Sequence, residues 1–124
     1  MKKLLVVEDT LHLAEEISDM LRMEGYNVTV GNTGSHALEI LEHLRPDLII
    51  TDLLMPGIDG FELIERIRKM DWLRTIPIII LSAKTSETDL TRGIAAGADD
   101  FILKPCKSHE LLASITSLLT KGSS

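Results

Sequence analysis

The chain has 124 residues, of which 44% are apolar, 26% charged and 3% aromatic, and its formal charge is -6. That length suits one core rather than two, the few rings make the core aliphatic, and an acidic chain without clustered Lys and Arg is excluded as a general binder of the nucleic-acid backbone. The one cysteine, Cys106, cannot close an internal disulfide, and the apolar run Leu4 to Val7 is too short for a signal peptide or a membrane span, so a cytoplasmic protein without membrane contact is expected.

KLLVV predicts a first strand that runs out at Glu8 and Asp9. In TLHLAEEISDMLRMEGY, Leu13, Ile17, Met20 and Leu21 recur at helical spacing, with Gly25 as the stop. Met20 and Met23 read there as core filler, and Glu15, Glu16 and Asp19 as the solvated face. NVTV is the second strand. TGSHALEILEHLRP predicts a helix through Ala37, Leu38, Leu41 and Leu44 that Pro46 ends. DLIIT is the third strand and stops at Asp52. After a loop shaped by Pro56, Gly57 and Gly60, DGFELIERIRKM turns Phe61, Ile64 and Ile67 to one helix face. IPIIIL leads to Ser82. SETDLTRGIAAGA is a weaker helix, interrupted at Gly93 and ended by Gly97. DFIL, opened by Asp99 and Asp100, runs to Lys104 and Pro105, and KSHELLASITSLLTKG is the last helix.

Continuously apolar strands are covered on both faces, and their alternation with helices implies parallel pairing through right-handed crossovers. The expected fold is α/β, a doubly wound five-stranded parallel sheet, (βα)5, in the flavodoxin-like order 2-1-3-4-5. Residues 1–120 form the domain and 121–124 a polar tail. In that order a ligand crevice opens beyond the carboxyl ends of strands one and three.

Three carboxylates, Glu8, Asp9 and Asp52, then share a rim with Ser82 and Lys104. Crowded carboxylates repel unless a cation neutralises them, and Mg²⁺ takes few protein oxygens while keeping several waters. Asp9, Asp52 and the backbone carbonyl of Leu54 are the candidate direct ligands, with Glu8 acting directly or through water. Asp52 is also a candidate nucleophile for an aspartyl phosphate, with Lys104 and Ser82 positioned for the phosphoryl oxygens. Separately, each has an ordinary reading: a solvated turn for Glu8 and Asp9, a surface lysine, a helix cap. Their common placement favours the joint one. His12, His36, His43 and His109 lie scattered in the expected helices without ligand spacing, and Asp99 and Asp100 stand at the opposite rim.

The set VVEDT, DLIITDLLMPGIDG, IIILSAK and GADDFILKP resembles the receiver domain of bacterial two-component response regulators over essentially the whole chain. That resemblance implies Asp52 as phosphate acceptor, Glu8 and Asp9 as the acidic pair for Mg²⁺, Ser82 as the switch hydroxyl and Lys104 as the phosphate-contacting lysine. Pro105 matches a proline preceded by a cis bond, and Phe101 the ring that turns inward when Ser82 is drawn to the phosphoryl group. Helix one would help dock the histidine-bearing partner, with Leu11, His12 and Glu15 as contacts. The chain departs from the pattern at Glu8, where Asp is commoner, favouring a water-mediated contact. It also has Ser82 for the commoner Thr, and Cys106, read as a small buried hydrophobe, where Phe is frequent. Leu54 and Lys84 flank the site and bear on phosphoryl lifetime.

The function implied is a switch that accepts a phosphoryl group from a histidine kinase or phosphotransfer protein onto Asp52. It passes the signal to a protein partner, without nucleic acid and without catalytic turnover. A stand-alone regulator is expected, the alternative being a receiver fragment of a longer regulator or hybrid kinase. An Mg²⁺-dependent phosphohydrolase of the haloacid dehalogenase type would need a second Asp where Leu54 stands. A flavin or nucleotide carrier would need a Ser-, Thr- and Gly-rich phosphate loop after strand one.

Overall fold

Five strands form one parallel sheet: β1 (Lys3–Val7), β2 (Asn27–Gly31), β3 (Leu48–Thr51), β4 (Ile78–Ser82) and β5 (Asp100–Leu103). They stand in the order β2-β1-β3-β4-β5, as expected. The helices between and after them are α1 (Leu11–Met23), α2 (Gly34–Leu41), α3 (Gly60–Arg68), α4 (Glu87–Ala96) and α5 (Ser108–Gly122). The computed structural model describes residues 1–83, 86–105 and 107–122, so the readings made for Lys84, Cys106 and residues 123–124 fall outside the described residues.

Strand periodicity decides the layers, because successive side chains point to opposite faces. Leu5, Val7, Ile49, Ile78 and Ile80 pack with Ala37 and Leu41 of α2 and with Phe61, Ile64 and Ile67 of α3. Leu4, Val6, Leu48, Ile50, Ile79 and Leu81 pack with Leu21 of α1 and with Leu111 and Ile115 of α5. The central strands therefore have no polar face, and each fully buried Leu or Ile contributes roughly 1.5–3 kcal/mol. Side chains at the helix starts support the local turns: Thr33 accepts from the His36 N–H at 3.0 Å, Asp59 from Glu62 at 2.9 Å and Ser86 from Asp89 at 3.1 Å.

Three local expectations give way. Met23 is 87% exposed rather than core filler, because two residues past the buried Leu21 it lies on the far side of a helix of 3.6 residues per turn. The second helix ends at Leu41, well before Pro46, in tightened turns in which Glu42 and His43 donate to Glu39 and Ile40. Leu44 and His43 consequently lie in the connection to β3 and not on a helix. Gly93 does not interrupt α4; it is the one buried residue of that helix, and a Cβ there would stand 2.7 Å from Ile80 Cδ1. The glycine thus lets α4 lie directly on the sheet.

At the end of the sheet away from the crevice, Arg68 holds four chain segments together. Its guanidinium donates to the carbonyls of Gly97, Arg74 and Ile76 and to Asp99 Oδ2, which also accepts the Ile78 N–H. Asp100 accepts from Ser114 and ties β5 to α5. Both acids lie on the rim opposite the carboxylate cluster, as expected.

Candidate functional site

The crevice is built by strand ends. Val7 stands level with Gly31 and with Thr51, and the ladder runs one residue further, Glu8 N–H to Gly31 O at 3.0 Å and Asp52 N–H to Val7 O at 3.1 Å. On the other side Ser82 pairs with Leu103, and the Ser82 carbonyl accepts the Lys104 N–H at 2.8 Å. These backbone bonds carry Glu8, Asp52 and Lys104 to one rim although 96 residues separate Glu8 from Lys104.

Lys104 Nζ lies 2.6 Å from Glu8 Oε1 and 3.0 Å from Asp52 Oδ2. The other oxygen of Asp52 faces main-chain donors: Leu53 N–H at 2.6 Å and, more weakly, Leu54 N–H at 3.4 Å. Glu8 Oε2 accepts the Thr10 N–H at 3.2 Å. Burial pushes the Glu8 carboxyl above its ordinary value despite the opposing pull of Lys104 and Thr10. For Lys104 burial opposes the charge, but Glu8 and Asp52 outweigh it and hold the ammonium above its ordinary value.

Glu8, Asp9 and Asp52 each offer a carboxylate oxygen, all within 4.8 Å of one another. One ammonium faces two of these acids, and the donors are all hard oxygens. The set therefore fits a hard divalent ion such as Mg²⁺ rather than a thiophilic metal. Glu8 is buried, Asp52 half-buried and Asp9 exposed, so the cluster opens to solvent on the Asp9 side.

Other expected residues fall around this centre. Leu54 is 58% exposed beside it. The Lys104–Pro105 bond is cis. Ser82 is buried, and its register through Ile80 and Phe101 places Ser82 and Phe101 on the same side of the sheet. Phe101 is half-buried against the core. Leu11, His12 and Glu15 are exposed on α1, where His12 pairs with Glu16 at 3.0 Å. His36 caps locally by accepting the Asn32 N–H, away from the acids.

Two positioning residues have only weak sequence signals. Thr51, fully buried, donates its hydroxyl to the Asp52 carbonyl at 2.9 Å. Gly60 begins α3 so close to Asp52 that a Cβ would collide with the Asp52 carbonyl oxygen, and its N–H donates to Leu53 O at 2.9 Å. A threonine before an acid and a glycine after Asp59 are ordinary in sequence; only the close approach of α3 gives them meaning.

Residues 4–116 match the family described as the response regulator receiver domain. The DNA-binding response regulator MtrA of Mycolicibacterium paratuberculosis is 39% identical over 121 residues, which cover 98% of this chain and 52% of MtrA. The chain thus spans about half the length of the curated relatives it matches. The receiver domain of a signal transduction histidine kinase from Syntrophus aciditrophicus is 39% identical, with a TM-score of 0.91 over 98% of this chain and 92% of that one. The receiver domain of the sensor histidine kinase PA1611 from Pseudomonas aeruginosa PAO1 is 33% identical, with a TM-score of 0.89 over 96% of this chain and 98% of that one. That structure has a magnesium ion coordinated in its active-site cleft.

Proposed function

Because the chain belongs to the response regulator receiver domain family, we propose that this receiver of two-component signalling takes a phosphoryl group from a phosphohistidine onto Asp52. The observation that carries the proposal is the asymmetric setting of that carboxylate, with main-chain N–H groups on Oδ1 and Lys104 on Oδ2. Asp52 Oδ2 forms the new bond to phosphorus while the bond from phosphorus to the donor's imidazole nitrogen breaks, the nitrogen keeping the electron pair. Lys104 follows the negative charge onto the phosphoryl oxygens. Leu53 and Leu54 N–H groups keep the remaining acyl oxygen oriented.

Asp9, Asp52 and the Leu54 carbonyl would hold Mg²⁺, with Glu8 in direct or water-mediated contact. When bound, the ion supplies neutralisation of charge on the phosphoryl oxygens. With Leu54 in place of a general acid or base, the chain modifies itself and loses the group slowly, without turnover. Ser82 then turns to the phosphoryl group and Phe101 inward beside the Lys104–Pro105 turn, and a protein partner reads the altered face. The donor is a histidine kinase or phosphotransfer protein that meets the exposed α1 residues Leu11, His12 and Glu15.

One reading is a regulator of this domain alone, acting in the cytoplasm through a protein partner; among the described residues no helix is long and apolar enough to cross a membrane. The chain's coverage of only 52% of MtrA favours a second reading, a receiver that forms the input half of a longer, DNA-binding polypeptide. The mass of the polypeptide in cells of its source separates the two.

The chemistry is tested by intact mass after incubation with acetyl phosphate, with and without Mg²⁺, for the native chain and Asp52→Asn. One base-labile phosphoryl adduct on the native chain with metal, and none on the variant, is expected. An adduct that persists in Asp52→Asn would place the acceptor elsewhere.

A further inference from the structure

The surface of α4 toward the core is small. Gly93 is its one buried residue, whereas Leu90 and Ile94 are 42% and 58% exposed. Few buried apolar contacts mean low local stability, so what else fastens this helix decides how readily it moves. Two arginines do so. At the C-terminal end Arg68 donates through Nε and Nη2 to the Gly97 carbonyl, at 2.9 and 2.7 Å. Nearer the middle, Arg92 of α4 places its guanidinium carbon 4.1 Å from the centroid of the Phe61 ring on α3. Arg92 makes no ion pair among the described residues, so its charge is directed at the ring.

Phe61 is not an arbitrary partner. It follows Gly60, whose backbone lies against the Asp52 carbonyl oxygen and whose N–H is bonded to Leu53. A continuous line of contact therefore runs from the backbone of Asp52 through Gly60 and Phe61 to Arg92 and α4. It leaves Asp52 by a different way from the route through Ser82 and Phe101 in β4 and β5, which reaches the same helix at Gly93, where an added Cβ would stand 3.5 Å from Phe101 Cδ2.

We propose that the Arg92 and Phe61 contact is a latch that holds α4 against α3, with the Arg68 and Gly97 contact as the fixed pivot. Through Gly60 the latch is coupled to events at Asp52. The latch stands on this geometry alone; its coupling rests on the proposed phosphoryl transfer. A cation over an aromatic face at an exposed site is weak enough to open and strong enough to bias a population.

Amide hydrogen exchange across α4 tests the latch without any phosphoryl donor. Arg92→Gln is expected to speed exchange in α4 by roughly two- to five-fold, the population shift that such a contact sustains. Protection in β1, β3 and β4 should stay unchanged, and Arg92→Lys, which keeps the cation, should restore part of the protection of α4. In Phe61→Leu the same Arg92→Gln change should have no further effect on α4. Unchanged exchange in Arg92→Gln, or a rise spread evenly over the whole sheet, overturns the latch.

The coupling is read in the same samples by intact mass and exchange after acetyl phosphate and Mg²⁺. Modified native chain should exchange in α4 as Arg92→Gln does, and Arg92→Gln should change the rate of modification of Asp52, since coupling is reciprocal. Modification with α4 unchanged overturns the coupling. Absence of an adduct on the native chain overturns the phosphoryl-transfer reading and the coupling with it, while the donor-free comparison still decides the latch.

Discussion

At the scale of single residues the site is governed by one lysine against three acids. Glu8 is buried and Lys104 half-buried against it, with side chains 3% and 17% exposed. Breaking such a pair from one side leaves an uncompensated buried charge, so Lys104→Met should lower the stability of metal-free protein by about 3 kcal/mol in urea denaturation at neutral pH. Glu8 also makes stability depend on pH. Its folded pKa lies above the ordinary 4.5, so the folded chain binds the proton more tightly than the unfolded one. Stability from this group is therefore full below 4.5 and is lost as pH rises through the higher folded value. Lys104, also raised, keeps its contribution below 10.5 and loses it as pH climbs through its own folded value. Denaturation midpoints measured across pH 4 to 8 should show the Glu8 decline in the native chain and lose it in Glu8→Gln; an equal slope in both would assign the decline to another group.

At the scale of elements, two glycines that look alike in sequence have opposite tolerance. A Cβ at Gly60 meets backbone, the Asp52 carbonyl oxygen and Leu53 Cα, which cannot give way without moving the acceptor. At Gly93 it meets the far end of the Ile80 side chain at 2.7 Å and Phe101 Cδ2 at 3.5 Å. Alanine in a helix interior gains about 0.8–1 kcal/mol over glycine, and a displaced side-chain end costs a similar amount. Gly93→Ala should accordingly stay within about 1 kcal/mol of the native chain, whereas Gly60→Ala should lose about 3 kcal/mol or more. Paired thermal melts check both. Near-equal losses would mean that α3 can slide away from Asp52.

At the scale of the whole molecule, the crevice belongs to no one segment; it exists only when the folded sheet, in the order β2-β1-β3-β4-β5, brings the ends of β1, β3 and β5 to one rim. A ligand that binds it therefore binds the native state alone and stabilises it, by about 2.7 kcal/mol at a hundredfold excess over the dissociation constant. Mg²⁺ is expected to raise the melting temperature of the native chain. Asp9→Asn, at the solvent-open side of the cluster, should lose most of that rise while keeping metal-free stability within about 0.5 kcal/mol. A melting temperature indifferent to Mg²⁺ would remove the metal from the proposed function.

Much of this was legible in the amino acids because it follows from periodicity and chain direction. Five apolar runs without a polar face, separated by helical spacing, determine a parallel sheet covered on both sides, and parallel strands all end on one rim. Glu8, Asp9, Asp52, Ser82 and Lys104 could be brought together on paper for that reason. Local propensity was a poorer guide where packing competes with it. Gly93 reads as a break in a helix yet permits close contact with the sheet, and the turn back into β3 stops α2 at Leu41 before Pro46 can. Tertiary structure alone decided that Lys104 bridges Glu8 and Asp52, that Thr51 and Gly60 fix the Asp52 backbone, and that Arg92 lies on Phe61. Such contacts, from 2.6 Å for Lys104 to Glu8 up to 4.1 Å for Arg92 over Phe61, depend on how the elements pack, and residue type and spacing carry no record of that packing.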